Sequence, residues 1–135
     1  MKRAEFAFPG PLRDKLVGAI LDGTKTTTTA LLAGYAVDGD APPSVGDREV
    51  VVDSAGEGVA IIETREVRVI PLSEVDLAHA VGEGEGFASV AEWRADHTSF
   101  WHTAEVRAEL GDPEFTVDDT TLVVATRFTI VERIG

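Results

Sequence analysis

The residues that favour β-strands fall in two blocks separated by a helical stretch, and this order restricts the folds open to the chain. The first block holds EVVVD at 49–53 and a second run at 59–70, joined by a glycine-containing turn. The second block is the stretch 121–134, which is rich in Val, Ile, Thr and Phe. Because strands and helices do not alternate regularly, a doubly wound parallel sheet is disfavoured. We expect an α+β fold in which 48–70 forms a hairpin and 121–134 a closing strand of a mostly antiparallel sheet.

Apolar residues at helical spacing predict three helices, and turn or capping residues bound each of them. The first helix follows the breaker Pro9-Gly10-Pro11, and the second begins at Ser73. The third begins behind Ser89, which with Glu92 forms an S-x-x-E capping box. Between the last two lies the Gly-Glu-Gly-Glu-Gly run 82–86, which a helix accommodates only with a loss of stability. The expected helices cover 12–22, 74–81 and 89–109.

Length and composition exclude several classes of protein. The chain has 135 residues, which predicts a single domain over 1–135. It has no cysteine, so cysteine zinc sites, iron–sulfur clusters, disulfides and cysteine nucleophiles are excluded. No apolar run approaches the roughly 18 residues that cross a membrane, and no secretory signal is present, so we expect a cytoplasmic protein without a membrane partner. The formal net charge of −12 opposes binding to duplex DNA.

The segment 23–29, GTKTTTT, places one lysine and several hydroxyl groups just beyond the first predicted helix. It is not a P-loop, because that motif needs two glycines before the lysine and a strand ahead of them. A desolvated lysine can act as a base for a neighbouring threonine, and a charged one can stabilise an oxyanion or hold a phosphate. The alternative is a solvated polar loop over 24–35, in which Lys25 is exposed and contributes little to stability.

Two carboxylates and an aromatic helix are further candidates for a site. Glu83 and Glu85 are separated only by glycine, and a fixed glutamate can be a general acid or base, although a flexible acidic turn is an equal alternative. Trp93, His97 and Trp101 lie four residues apart on one helix face, where they either stack on a base or fill the core. The core is favoured for the tryptophans, and the histidines lack the spacing of a metal site.

Four of these features together resemble the ASCH family, which has a PUA-like fold. They are the short helix ending in GTKTTTT, the segment PPSVGDREVVVD, the run AHAVGEGEGFASVAEWRADHTSFW and the long final strand. The resemblance covers nearly the whole chain. It implies a small β-barrel with two to three helices around a cleft, lined by the lysine–threonine motif, and a link to RNA or nucleosides.

Some small proteins of this family hydrolyse 4-acetylcytidine with a lysine, a threonine three residues later and a glutamate. The matching positions are Lys25, Thr28 and Glu83. The resemblance therefore implies a hydrolase of acylated cytidine that needs neither a metal nor another cofactor. The family leaves two alternatives, a ribonuclease acting on single-stranded RNA and a non-catalytic module that binds RNA or a modified nucleotide. The expected substrate contacts are Arg13, Thr26, Tyr35, Glu85, Trp93 and His97.

Overall fold

A computed structural model describes residues 1–134, and its five strands form one mixed sheet. The strands are β1 (Lys2–Ala4), β2 (Thr27–Leu31), β3 (Arg48–Val52), β4 (Gly58–Pro71) and β5 (Leu122–Arg133). Their order across the sheet is β1-β3-β4-β5-β2. The pair β1–β3 is parallel and the other three pairs are antiparallel. The α+β class, the β3–β4 hairpin and the closing strand are thus confirmed.

The sheet is not closed into a barrel, which is where it departs from the expected architecture. β1 and β2 are its two edges, and no hydrogen-bonded ladder joins them within residues 1–134. A barrel needs such a closing pair, whereas the three residues of β1 all pair with β3. The open gap between the two edges leaves room for the cleft described below.

The described residues contain five α-helices and one short 3-10 helix, more than the two to three that were expected. They are α1 (Pro11–Asp22), α2 (Leu32–Val37), the 3-10 helix Leu72–Glu74, α3 (Leu77–Gly82), α4 (Val90–Trp101) and α5 (Ala104–Leu110). α1 confirms the first predicted helix. None of these helices has the length and apolar character that crossing a membrane requires.

Local capping explains where the other two predicted helices differ from the observed ones. The predicted start at Ser73 is wrong, because Asp76 caps α3 by accepting a hydrogen bond from the His79 backbone N–H at 2.9 Å. The predicted helix over 89–109 is divided, because Thr103 caps a new N-terminus between α4 and α5.

The segment 24–35, for which a solvated loop was one expectation, contains β2 and the first part of α2. The threonines of β2 pair with β5, so that Thr28 lies opposite Thr126. β-Branched residues suit a half-buried pleated surface, but they form a strand only where a partner strand is available. That partner lies about a hundred residues further along the chain, which is why local sequence did not reveal it.

Two apolar clusters hold the helices against the sheet. One packs α3, α4 and α5 on it and includes Trp93, Trp101 and Val123. The other packs α1 on it and includes Ile20 and Val51. The two clusters fix α1, β2 and α3, and these are the elements that carry the candidate site.

Candidate functional site

The end of α3 packs directly on the segment that leads into β2. The Thr26 backbone N–H donates to the Gly82 carbonyl at 2.7 Å, and the Thr27 hydroxyl donates to the His79 carbonyl at 2.8 Å. A Cβ atom on Gly84 would lie 2.8 Å from the backbone nitrogen of Lys25, and Gly84 has φ of +75°. Only glycine fits such a position without displacing backbone. The close approach brings two distant parts of the sequence side by side.

This approach places Lys25 and Glu83 in a buried ion pair. The Lys25 Nζ lies 3.0 Å from Oε1 of Glu83, and each side chain is only 2% exposed. Nζ also donates to the Thr27 carbonyl at 2.7 Å and lies 5.8 Å from the centre of the Phe6 ring. The expectation of an exposed lysine is therefore wrong, because the Lys25 side chain is buried in its pair with Glu83.

Three further donors hold the second carboxylate oxygen of Glu83. Oε2 accepts hydrogen bonds from the hydroxyl of Thr29 at 2.9 Å and from Nε1 of Trp93 at 2.6 Å, and Nε2 of His97 lies 3.0 Å away. Burial raises the pKa of Glu83, but the hydrogen bond from His97, the charge of Lys25 and the other donors outweigh it and lower the pKa to about 2. Glu83 is therefore a fixed carboxylate.

His97 lies between two groups that can only accept hydrogen bonds. Its Nδ1 is 3.0 Å from the Trp93 carbonyl, and its Nε2 faces the ionised Glu83. Both ring nitrogens must donate to satisfy these partners, which requires the imidazolium form. Burial lowers the pKa of His97, but the hydrogen bond and charge of Glu83 raise it above its ordinary value. The buried cluster thus holds two cations around one carboxylate.

Thr29 and His79 extend this network, and the sequence analysis assigned neither of them to the site. Thr29 donates its only hydroxyl hydrogen to Glu83, so Nε2 of His79, 2.7 Å from that hydroxyl, must be the donor to Thr29. Burial lowers the pKa of His79, which favours the neutral imidazole that carries its proton on Nε2. Strand alternation could have indicated Thr29, because it lies on the same face of β2 as Thr27.

A cleft of about 600 Å³ lies beside this cluster, between the two edges of the sheet. Residues of both β1 and β2 line it. Six of the sequence-predicted site residues are found on its wall. They are Lys25, Thr28, Tyr35, Glu83, Glu85 and His97.

The other three predicted site residues, Arg13, Thr26 and Trp93, do not line this cleft. Arg13 is buried, and its guanidinium donates to the backbone carbonyls of Phe6, Ala7 and Asp53. Trp93 is fully buried and reaches the site only through its hydrogen bond to Glu83. The polar contacts of Arg13 and Trp93 are thus with other parts of the protein.

Carboxylates dominate the charge of the cleft. Besides Glu83 and Glu85, five more acidic side chains line it: Glu5, Asp38, Asp40, Glu49 and Asp96. The positively charged side chains on its wall are Lys2, Arg3, Lys25 and His97, and Lys2 is paired with Asp40. Such a wall repels anionic molecules and tolerates neutral or cationic ones.

Glu83, Glu85 and His97 also present possible ligand atoms within 4.8 Å of one another. Both oxygens of Glu83 already accept hydrogen bonds, and the ammonium of Lys25 beside them repels a cation. A metal would have to displace these donors and the imidazolium of His97. We therefore assign no metal to this cluster.

Comparisons with known proteins identify similar chains. A family model described as ASCH domain matches residues 4–132. The crystal structure of an ASCH domain from Lactobacillus crispatus is 29% identical with a TM-score of 0.74, covering 89% of this chain and 72% of that one. A crystal structure of a protein from Enterococcus faecalis is 24% identical with a TM-score of 0.74, covering 88% of this chain and 68% of that one, and supports the fold alone. A search of curated proteins finds no match.

Proposed function

Because the chain belongs to the ASCH domain family, we propose that it is a single-domain hydrolase that cleaves the amide of an acylated cytidine such as 4-acetylcytidine. Membership of the family supports a general RNA-related role, and this reaction is one specific form of it. The observation that carries the proposal is the buried ion pair of Lys25 and Glu83 on the wall of a cleft that Thr28 also lines.

The shape and charge of the cleft favour a nucleoside over an RNA strand. Its volume of about 600 Å³ falls within the range of small-molecule sites, which is about 300–1,000 Å³. Its excess of carboxylates opposes a chain of phosphates, whereas an uncharged acylated nucleoside is not repelled. Tyr35 and Phe100 on the wall supply aromatic surface for a base.

The contacts of each side chain support a division of roles in the reaction. Lys25 is held as a cation by the Glu83 carboxylate and by the carbonyls of Thr27 and Glu83, so its positive charge is suited to stabilise the oxyanion that forms on the acyl oxygen. The Thr28 hydroxyl attacks the acyl carbon or holds the water that does so. Glu83 is a poor proton donor, because a carboxyl with a pKa of about 2 is ionised at neutral pH. Its role in the proposal is to position Lys25.

The test is to incubate the protein with 4-acetylcytidine and to follow the release of cytidine by chromatography. A single-stranded RNA of mixed sequence is incubated in parallel, over a range of salt concentrations. We expect turnover of the nucleoside with little dependence on salt, because no polyanion is bound. Thr28→Ala should lose this turnover and Thr28→Ser should keep part of it. The exposed Thr116→Ala serves as the matched control.

Two results contradict the proposal. A protein that is inert on acylated cytidines but cleaves single-stranded RNA is a ribonuclease. A protein that is inert on both substrates but binds RNA in a salt-sensitive manner is a binding module.

A further inference from the structure

Hydrolysis of an amide needs a group that takes a proton from the attacking hydroxyl and gives one to the departing nitrogen. Most polar groups beside Lys25 are already committed to other bonds. Both oxygens of Glu83 accept hydrogen bonds, and the Thr29 hydroxyl donates to one of them. His97 faces an acceptor at each ring nitrogen. These groups maintain the charge of the cluster but are not free to exchange protons with a substrate.

Glu85 differs from all of them. Its carboxylate lines the cleft, is half-buried, and carries no hydrogen bond or ion pair within residues 1–134. One of its oxygens lies within 4.8 Å of the ligand atoms of Glu83 and His97, so it borders the same cluster. It is therefore both accessible from the cleft and adjacent to the groups that would stabilise the reacting carbonyl.

The backbone around Glu85 keeps it in this place. Gly84 packs against the backbone of Thr24 and Lys25 so closely that no side chain would fit there. The Glu85 carboxylate is thus carried by the same chain segment that brings Glu83 to Lys25. Its position depends on local packing rather than on bonds of its own, which leaves its oxygens free.

We propose that Glu85 is the catalytic residue that transfers the proton in this reaction, an inference that rests on the proposed function. As the attacking oxygen bonds to the acyl carbon, its proton passes to the Glu85 carboxylate. As the bond from the acyl carbon to the exocyclic nitrogen breaks, the Glu85 carboxyl returns that proton to the nitrogen. If Thr28 attacks first, water then cleaves the ester. Glu85 takes the proton from that water and passes it to the Thr28 oxygen.

The charges around Glu85 agree with such a role. Burial raises the pKa of Glu85, and the negative charges of Asp96 and Glu83 raise it further. The positive charges of Lys25 and His97 lower this pKa, but it stays above its ordinary value. A carboxyl whose pKa is nearer to neutral accepts and returns a proton more readily than one whose pKa is depressed, as that of Glu83 is.

The experiment compares Glu85→Gln with the unsubstituted protein, measuring kcat and KM on 4-acetylcytidine across pH. The exposed Glu105→Gln on α5 is the control. We expect Glu85→Gln to lower kcat by about 10²–10⁴-fold and to remove the fall in kcat/KM at acid pH that titration of Glu85 causes. Binding of cytidine, measured by calorimetry, should stay unchanged. Glu85→Asp, which keeps a carboxyl group, should recover part of the rate.

The outcomes separate this inference from the proposed function. An unsubstituted protein that is inert on acylated cytidines overturns both. A Glu85→Gln variant with unchanged kcat and an unchanged acid limb overturns the role of Glu85 alone. Loss of cytidine binding together with the rate makes Glu85 a binding residue and also overturns its role in proton transfer.

Discussion

Arg13 and Lys25 are both buried cations of the N-terminal part of the chain, exposed by only 4% and 2%, but their partners differ. Arg13 donates to three backbone carbonyls, two in the 6–7 segment and one at Asp53 after β3. Lys25 pairs with the carboxylate of Glu83 on the wall of the cleft. The guanidinium fixes where chain segments lie, whereas the ammonium holds a buried charge beside the cleft.

The difference teaches that burial of a charged side chain does not by itself mark a functional residue. A buried cation must be satisfied in either case, because an unpaired one is strongly destabilising. What distinguishes Lys25 is that its partner is a charged group, which is itself held by three more donors beside a cleft. Four experiments test the two roles and the contacts that place Lys25 beside Glu83.

The largest effect is expected from replacing each cation by methionine. Lys25→Met leaves Glu83 without its counter-ion and should lower the free energy of unfolding by about 3–5 kcal/mol. It should also lower turnover of 4-acetylcytidine by about 10²-fold or more, measured under conditions where the variant is folded. Arg13→Met should lower the free energy of unfolding by at least about 1.5 kcal/mol, the value of one hydrogen bond to a charged group, and should keep kcat. Urea unfolding measures the stability of both variants, and kinetics on 4-acetylcytidine measure their turnover. If Arg13→Met lost kcat without losing stability, Arg13 would act in the reaction and would not be a purely structural cation.

Acid should weaken the Glu83 cluster next. The pKa of Glu83 is lowered from 4.5 to about 2, so its stabilising contribution is complete above pH 4.5 and is lost as the pH falls through about 2. At 1.36 kcal/mol per unit this contribution amounts to about 3 kcal/mol. Urea unfolding between pH 2.5 and 6 should show this fall in the free energy of unfolding at acid pH, both in the unsubstituted protein and in Arg13→Met. If Glu83→Gln lost as much free energy of unfolding at acid pH as the unsubstituted protein, the loss would not be due to Glu83.

Two glycines of the 82–86 run provide a matched pair of intermediate size. Gly84 and Gly86 both have positive φ, so alanine at either position should lower the free energy of unfolding by about 1–2 kcal/mol. At Gly84 the new Cβ would also lie 2.8 Å from the backbone of Thr24 and Lys25, whereas at Gly86 it meets nothing within 4 Å. Gly84→Ala should therefore cost about 1–3 kcal/mol more than Gly86→Ala in urea unfolding. Equal effects of the two substitutions would mean that the close packing of Gly84 on the backbone of Thr24 and Lys25 does not contribute to stability.

The smallest effect on stability is expected on the two faces of β2. Thr29→Val removes one hydrogen bond to Glu83 and should lower the free energy of unfolding by about 1–3 kcal/mol. Thr28→Val should change it by no more than about 0.5 kcal/mol, because Thr28 lines the cleft and its hydroxyl makes no hydrogen bond within residues 1–134. Turnover should show the larger loss in Thr28→Val. If Thr29→Val loses turnover while Thr28→Val keeps it, the attacking hydroxyl is on the other face.

Local sequence predicted the elements whose physical causes are local. Helical spacing and a proline–glycine breaker place α1, and β-branched runs bounded by turn residues place β3, β4 and β5. The candidates Lys25, Thr28 and Glu83 came from resemblance to a family, because a lysine among threonines is by itself also typical of a solvated loop. A local motif also says nothing about distant segments, so the sequence indicated these residues without the side chains that they pair with.

Only the tertiary structure decided how those residues meet. Lys25 and Glu83 are 58 positions apart, and they pair because glycines at the end of α3 let it pack on the backbone of 24–27. The same packing buries Lys25 and selects Thr29 as a donor to Glu83, since alternate residues of β2 face opposite sides. The sequence by itself determined α1, β3, β4 and β5 and the residue types that are available for chemistry. Burial, ion pairing and the open edge of the sheet depend on contacts between segments distant in the chain, which no local pattern encodes.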